Sequence, residues 1–286
     1  MTLNTNATTS WRKKWMPNLL QEVLHNALVA EKVCAVDNSD VKYIENPYGS
    51  AASITQQAIA GTYTVNSYTS TDDTLTVTEE FVWSEQVYDF EKIAQIADIK
   101  GSRMKEAMAQ MATAIDKFVV NSLVDAAGGS YTTPVGGFTT PANIQKIIGD
   151  LAGKFAGYAE TYNGLYIIVE SGDVTGFMQS GMANGFSFAD SWLKNGWMTS
   201  YGGFDIYVVR AGTFVSATLG TKTFTNSGHR VAGVKGITTY AMPGQKMNWM
   251  EKEVSGKTGV ELAMAAYCGF RAWYQKLALT VNITLA

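Results

Sequence analysis

Four kinds of chemistry can be sought in the residue types of this chain: phosphate binding, serine or cysteine nucleophiles, and metal ligation. Ser255-Gly-Lys-Thr258 has the ending of a phosphate-binding loop. Such a loop needs a glycine five positions ahead of its Gly-Lys pair, so that backbone amides can wrap the phosphates. Glu251 stands there instead, and the segment that follows, GVELAMAAY, has the make-up of a strand. A polar turn between two strands is the better expectation. Ser180, in MQSGMANG, misses the nucleophile-elbow pattern because Met178 replaces its first glycine. The two histidines, His25 and His229, lack metal-ligand spacing with the two cysteines, Cys34 and Cys268. A Cys–His nucleophile pair can be drawn on paper, yet nothing beside either cysteine marks it as activated. Both lie in apolar settings (KVCAV and AAYCGF), which predicts buried, reduced thiols and a reducing compartment. No catalytic centre, cofactor or metal is expected.

The bulk properties agree with a globular chain. Of 286 residues, 46% are hydrophobic and 16% charged, enough to bury a large core without disulfides or metals. A net charge of −3 argues against a protein whose main task is to grip nucleic acid, which requires a basic excess. Trp11-Arg-Lys-Lys-Trp15 interleaves aromatics with bases, as a nucleic-acid contact would, but three basic residues equally suit a solvated arm or a protein contact. The start of the chain does not read as a secretion signal, and no apolar run approaches the ~18 residues of a membrane span.

The elements that would have to position any site are uneven along the chain. Residues 1–40 read as an arm, with helical spacing over 15–33. Residues 41–91 are rich in Thr, Ser, Tyr and Gln. Strand-like alternation occurs at 62–66 and 74–78, with TSTDD (69–73) supplying turn chemistry between them. So few large apolar residues cannot carry a core of their own. The clearest helix spans 98–127, with a stripe of Met104, Met108, Met111, Ile115, Val119 and Leu123, and with Lys105, Glu106, Gln110, Asp116 and Lys117 on the other side. A second helix starts at Thr140-Pro141 and buries Ile144, Ile147, Ile148, Leu151 and Phe155. Strands are predicted at 164–170 and 204–210, then near 230–242, 245–254, 259–271 and 272–285, with a short helix from about Asp173. The class is α+β.

From Tyr43 to Glu91 there is no lysine or arginine, while Glu45, Asp72, Asp73, Glu79, Glu80, Glu85, Asp89 and Glu91 are acidic. Two readings are open. One is a solvated acidic surface; the other is a loop that docks on a basic surface of an assembly.

Taken in order, these segments resemble the tailed-phage major capsid family of the Hong Kong 97 type, over nearly the whole chain. The resemblance is carried by DDTLTVTEEFVWSEQVYDFEKIAQIADIKGSRMKEAMAQMATAIDKFV, by NGLYIIVESGDVTGFMQS, by NGWMTSYGGFDIYVVRAG, and by HRVAGVKGITTYAM with Arg271 before WYQKLALTVNITL. It implies an N-terminal arm (1–40), an extended β-hairpin loop (41–91), a peripheral domain (92–138 and 243–286) holding a spine helix at 98–127, and an axial domain (139–242). It implies pentamers and hexamers closing into an icosahedral shell around double-stranded DNA, held without sequence-specific contacts and without a membrane. A virion location, assembly in the bacterial cytoplasm, a separate scaffolding protein and a portal follow from the same likeness. Some family members crosslink through a loop lysine. Here none lies between Lys42 and Lys92, so no crosslink at the loop tip is expected. Within this frame, the acidic loop residues Asp72, Asp73, Glu79 and Glu80 are expected to pair between subunits with Lys92, Lys100, Arg103 and Lys105. Alternatives are an encapsulin-like compartment, another phage structural protein such as a tail tube subunit, or a hydrolase with an unrecognised site.

Overall fold

The computed structural model describes residues 29–37, 42–49, 59, 61, 70–88, 99–158, 163–183, 197–242, 248–253, 259–273 and 278–286. A long helix, α2 (Ile99–Asp125), runs between two sheets. Its 27 residues give a rod of about 40 Å. Met111, Ile115, Val119 and Leu123 of the predicted stripe are buried, while Met108 is exposed. In the second half the stripe widens, and every residue from Phe118 to Val124 is buried, polar Asn121 and Ser122 included. Sheets on both sides of the helix leave it no solvent face there. Asp116, placed by spacing on the polar side, is also buried. It accepts the amides of Val29 (3.0 Å) and Ala30 (2.9 Å), which open the short helix α1 (Val29–Val33).

One sheet has five strands and is organised by β14 (Gly259–Ala272). Along one edge β14 pairs antiparallel with β4 (Glu79–Tyr88). It also pairs antiparallel with β13 (Asn248–Glu253) through residues 260–265 and with β12 (Thr238–Ala241) through residues 269–272, and β1 (Ala35–Asp37) extends β12 in parallel. Strand alternation buries Leu262 and sends Met264, Ala266 and Cys268 into the core around α2, with Phe81 and Trp83 of β4 packed against the same cluster.

The other sheet has six strands in the order β5 (Gly129–Thr132), β15 (Thr280–Thr284), β11 (His229–Val234), β6 (Leu165–Glu170), β8 (Phe204–Val209) and β7 (Trp197–Tyr201). It is covered on both faces, which explains the unbroken apolar run LYIIV. Tyr166 and Ile168 join the core around α2, whereas Ile167 and Val169 join a second core beneath α3 (Pro141–Phe155) and α4 (Val174–Ala183). Gly176 lets α4 approach the chain closely, since a Cβ there would lie 1.9 Å from the Phe138 carbonyl oxygen.

Two hairpins stand outside these sheets. β2 (Tyr43–Gly49) pairs with β3 (Ser70–Thr76), so the TSTDD segment lies largely inside a strand and its partner is 43–49. The predicted strand at 62–66 lies outside the described residues. β9 (Ser216–Leu219) and β10 (Lys222–Thr225) form a hairpin closed by Gly220 and Thr221, with Gly220 at φ 58 as such a tight turn requires. The predicted strand near 230–242 is two strands, β11 and β12, separated by a turn with Gly236 at φ 76 and belonging to different sheets. Hydrogen bonding thus crosses the expected divisions at 138/139 and 242/243: β5 and β15 complete the six-stranded sheet, and β12 the five-stranded one.

Candidate assembly surface

Those candidate nucleophiles and ligands that fall among the described residues lie in buried or cross-strand settings. Cys34 and Cys268 are buried free thiols, and burial pushes each up to about 12. Cys34 Sγ accepts a hydrogen bond from Thr238 Oγ1 at 3.2 Å. His229 Nδ1 lies 2.8 Å from Asn282 Oδ1, a cross-strand polar contact in the six-stranded sheet. Ser180 is buried near the carboxyl end of α4. Ser255–Thr258 lies outside the described residues, between the antiparallel strands β13 and β14; His25 is outside them too. Among the described residues no three His, Cys, Asp or Glu side chains gather as a metal site, and no helix is long and apolar enough to cross a membrane.

The acidic residues proposed for contacts between subunits separate into two groups. Asp73 is buried, and its Oδ1 takes Nε of Arg271 at 2.8 Å together with Nη2. Glu79 is buried under the β9–β10 turn, accepting the Thr221 amide at 3.2 Å and the Thr221 hydroxyl. A Cβ on Gly220 would meet the Glu79 carboxylate at 2.0 Å, so this turn and this acid are fitted to each other. These two acids therefore have partners within the chain. Asp72 and Glu80 are exposed; Glu80 accepts the hydroxyl of Tyr267, its cross-strand neighbour, which holds that phenol above its ordinary range. On the basic side, Arg103 binds Glu85 (2.8 Å) and Glu106 (2.6 Å), and Lys105 is exposed. Lys100 lies in the first turn of α2, and Lys92 lies outside the described residues.

Three networks escaped the sequence reading, because each joins residues far apart in the chain. Arg230, almost fully buried, donates to Asp173 (2.6 Å) and Glu170 (3.1 Å), while Glu170 also accepts the amides of Gly212 and Phe214. Charge-assisted bonds of this kind fix the end of β6 to β11 and to the loop after β8. Asn121 donates to the Thr213 carbonyl (2.8 Å) and accepts the Val215 amide (3.1 Å), and Asn226 donates to Asn121 and Asp125. These amides bolt the β9–β10 hairpin to α2. Asp116, finally, is held up to about 6, chiefly by burial.

No family model and no curated protein matches the sequence. Solved structures match it along nearly its whole length. The capsid of the cyanophage P-SCSP1u superposes with a TM-score of 0.69 at 12% identity, covering 91% of this chain and 88% of that one. The capsid of a native GTA particle gives 0.68 at 13% identity, covering 93% of each chain. The capsid of Ralstonia phage GP4 gives 0.64 at 11% identity, covering 96% and 95%. At these identities the likeness is one of fold: the chain has the α+β fold of phage-capsid chains.

Proposed function

We propose that this chain is a major capsid protein, a structural subunit whose copies close into an icosahedral shell around a phage genome. The observation that carries this reading is mutual coverage. The three capsid chains match over 88–96% of both chains. In this reading pentamers and hexamers share nearly equivalent contacts. The six-stranded unit is the axial domain at capsomer centres, and α2 with the five-stranded sheet is the peripheral domain. The β2–β3 hairpin is the base of the extended loop. Double-stranded DNA is enclosed without sequence-specific contacts, a separate scaffolding protein and a portal serve assembly in the bacterial cytoplasm, and the mature location is the virion.

The test is electron microscopy of the protein expressed alone and collected by sedimentation. Closed polyhedral particles are the expected result; open tubes would overturn the reading. Mass spectrometry of such particles should show no ladder of covalent oligomers from the loop tip.

A further inference from the structure

Where the carboxyl end of α2 meets β10 and the last residues of β14 there is a cleft of about 380 Å³, lined by Ser122, Asp125, Lys222, Phe224, Phe270 and Arg271. Its open groups are mostly donors. Ser122 is 3% exposed, and its hydroxyl has no hydrogen-bond partner among the described residues. A buried hydroxyl without a partner is unfavourable. Lys222 is exposed, with its ammonium over the Phe118 ring at 5.2 Å and with no hydrogen bond among the described residues. Arg271 commits Nε and Nη2 to Asp73, which leaves Nη1 open among the described residues. The opposing carboxylate, Asp125, already accepts the Asn226 amide at 2.8 Å. An ammonium and one edge of a guanidinium, set between aromatic walls, are groups that take a carboxylate.

The matching anions stand on the β2–β3 hairpin. Its register sets Glu45 opposite Thr74 and Asp72 opposite Pro47, so both acids share the face away from Leu75 and Asp73. Both are exposed, and neither has a partner among the described residues. Like charges at diagonal positions of a strand pair repel each other, and a cationic counter-surface removes that repulsion. The hairpin's own segment cannot supply one, having no lysine or arginine from Tyr43 to Glu91. Nor can a hairpin turn this face to its own Arg271, because its opposite face is already latched there through Asp73.

We propose that the cleft of one copy receives the outward face of the β2–β3 hairpin of another, with Asp72 and Glu45 taken by Lys222 and Arg271. This rests on the shell reading and names a contact within it. Arg271 then touches two hairpins, its own through Asp73 and the incoming one through Nη1. The placement of one loop is thereby tied to that of the next around the assembly.

Two proteins with one added cysteine each test this, Glu45→Cys and Lys222→Cys, mixed and oxidised; the native thiols are buried and do not compete. The expected product is a covalent dimer at twice 31.0 kDa from the mixture only, not from either variant alone. It should also be absent when Val135→Cys, at an 87% exposed site, replaces Lys222→Cys. In parallel, Lys222→Glu should lower particle yield at least tenfold, and adding Asp72→Lys should restore it, with unchanged thermal unfolding showing that both variants fold. Particles from the wild type without the crosslink, or Lys222→Glu particles at normal yield, would overturn the docking and leave the shell reading standing. The crosslink without closed particles would uphold the docking and sink the shell.

Discussion

The six-stranded sheet buries side chains from both faces, against α2 on one and α3 and α4 on the other, whereas the described side chains that anchor the β2–β3 hairpin on the body are Leu75 and, paired with Arg271, Asp73. Each fully buried aliphatic or aromatic side chain of the sheet contributes roughly 1.5–3 kcal/mol, and the two cores share them densely. Among the described side chains of the hairpin Leu75 is the one fully buried hydrophobic, Tyr43 is exposed, and the crossing over β14 is close only because position 269 is glycine. A free two-stranded hairpin is marginal in water. The sheet unit is therefore complete within one chain. The hairpin is positioned by the chain but left with an unmatched acidic face, as an element would be whose remaining contacts come from a neighbour.

The sharpest way to break this contrast is to cut a core side chain on each side of it. Phe155→Ala removes a buried ring that sits 6.0 Å from Phe204, and it should lower global stability by about 3–5 kcal/mol in denaturant unfolding. Leu75→Ala deletes a comparable volume, and its intrinsic cost of about 2–5 kcal/mol should fall mainly on the hairpin. Hydrogen exchange should accelerate over residues 70–76 while residues 165–170 keep their protection. Equal acceleration in both regions would mean that hairpin and sheet unfold as one unit and that the contrast is false.

A third region, the α1 turn, lies between these extremes, docked on α2 through Asp116. This carboxyl is held above its ordinary 3.8, up to about 6, mainly by burial. The folded chain therefore keeps a proton over a range where the unfolded chain has lost it. The contribution of this group to stability is greatest below about pH 4, falls as pH rises to about 6, and is level above that. At 1.36 kcal/mol per pH unit the fall comes to at most about 3 kcal/mol. Asp116→Asn keeps an acceptor for an α1 amide and cannot titrate. The difference between wild-type and variant stability should thus slope between about pH 4 and 6 and flatten above. A flat difference throughout would show that Asp116 is solvated and that α1 is not docked as described.

What the sequence made legible follows the same division. Where one face of an element meets one core, periodicity read correctly: α2 matches 98–127 within two residues at either end, and all five apolar positions of α3 are buried. Where burial comes from two sides, or where the partner is distant, it did not. Asp116, Asn121 and Ser122 look like polar-face residues until a second sheet covers α2. Thr- and Asp-rich TSTDD has turn residues at a local scale, and only pairing with 43–49 makes it a strand. The acidic excess of 43–91 was visible, but its subdivision was not. Asp73 and Glu79 find partners 198 and 142 residues away, a matching that no local pattern reports. Lys222 belongs to a hairpin that was not anticipated at all, so the cleft beside it had no signal in the sequence.

The smallest effect tests whether the sheet unit is as complete as the contrast holds. Gly149 and Gly153 lie inside α3 on its exposed side, and a Cβ at either would meet nothing within 4 Å. Glycine in a helix interior is less favourable than alanine by roughly 0.5–1 kcal/mol, because the unfolded chain has more freedom to lose. Gly149→Ala and Gly153→Ala should therefore each stabilise the isolated chain by about that amount, read as a higher denaturation midpoint with an unchanged slope. If this face stays solvent-exposed in the particle, particle yield will be unaffected. If yield drops while the isolated chain gains stability, the two glycines make room for another copy, and the sheet unit shares the hairpin's dependence on its neighbours.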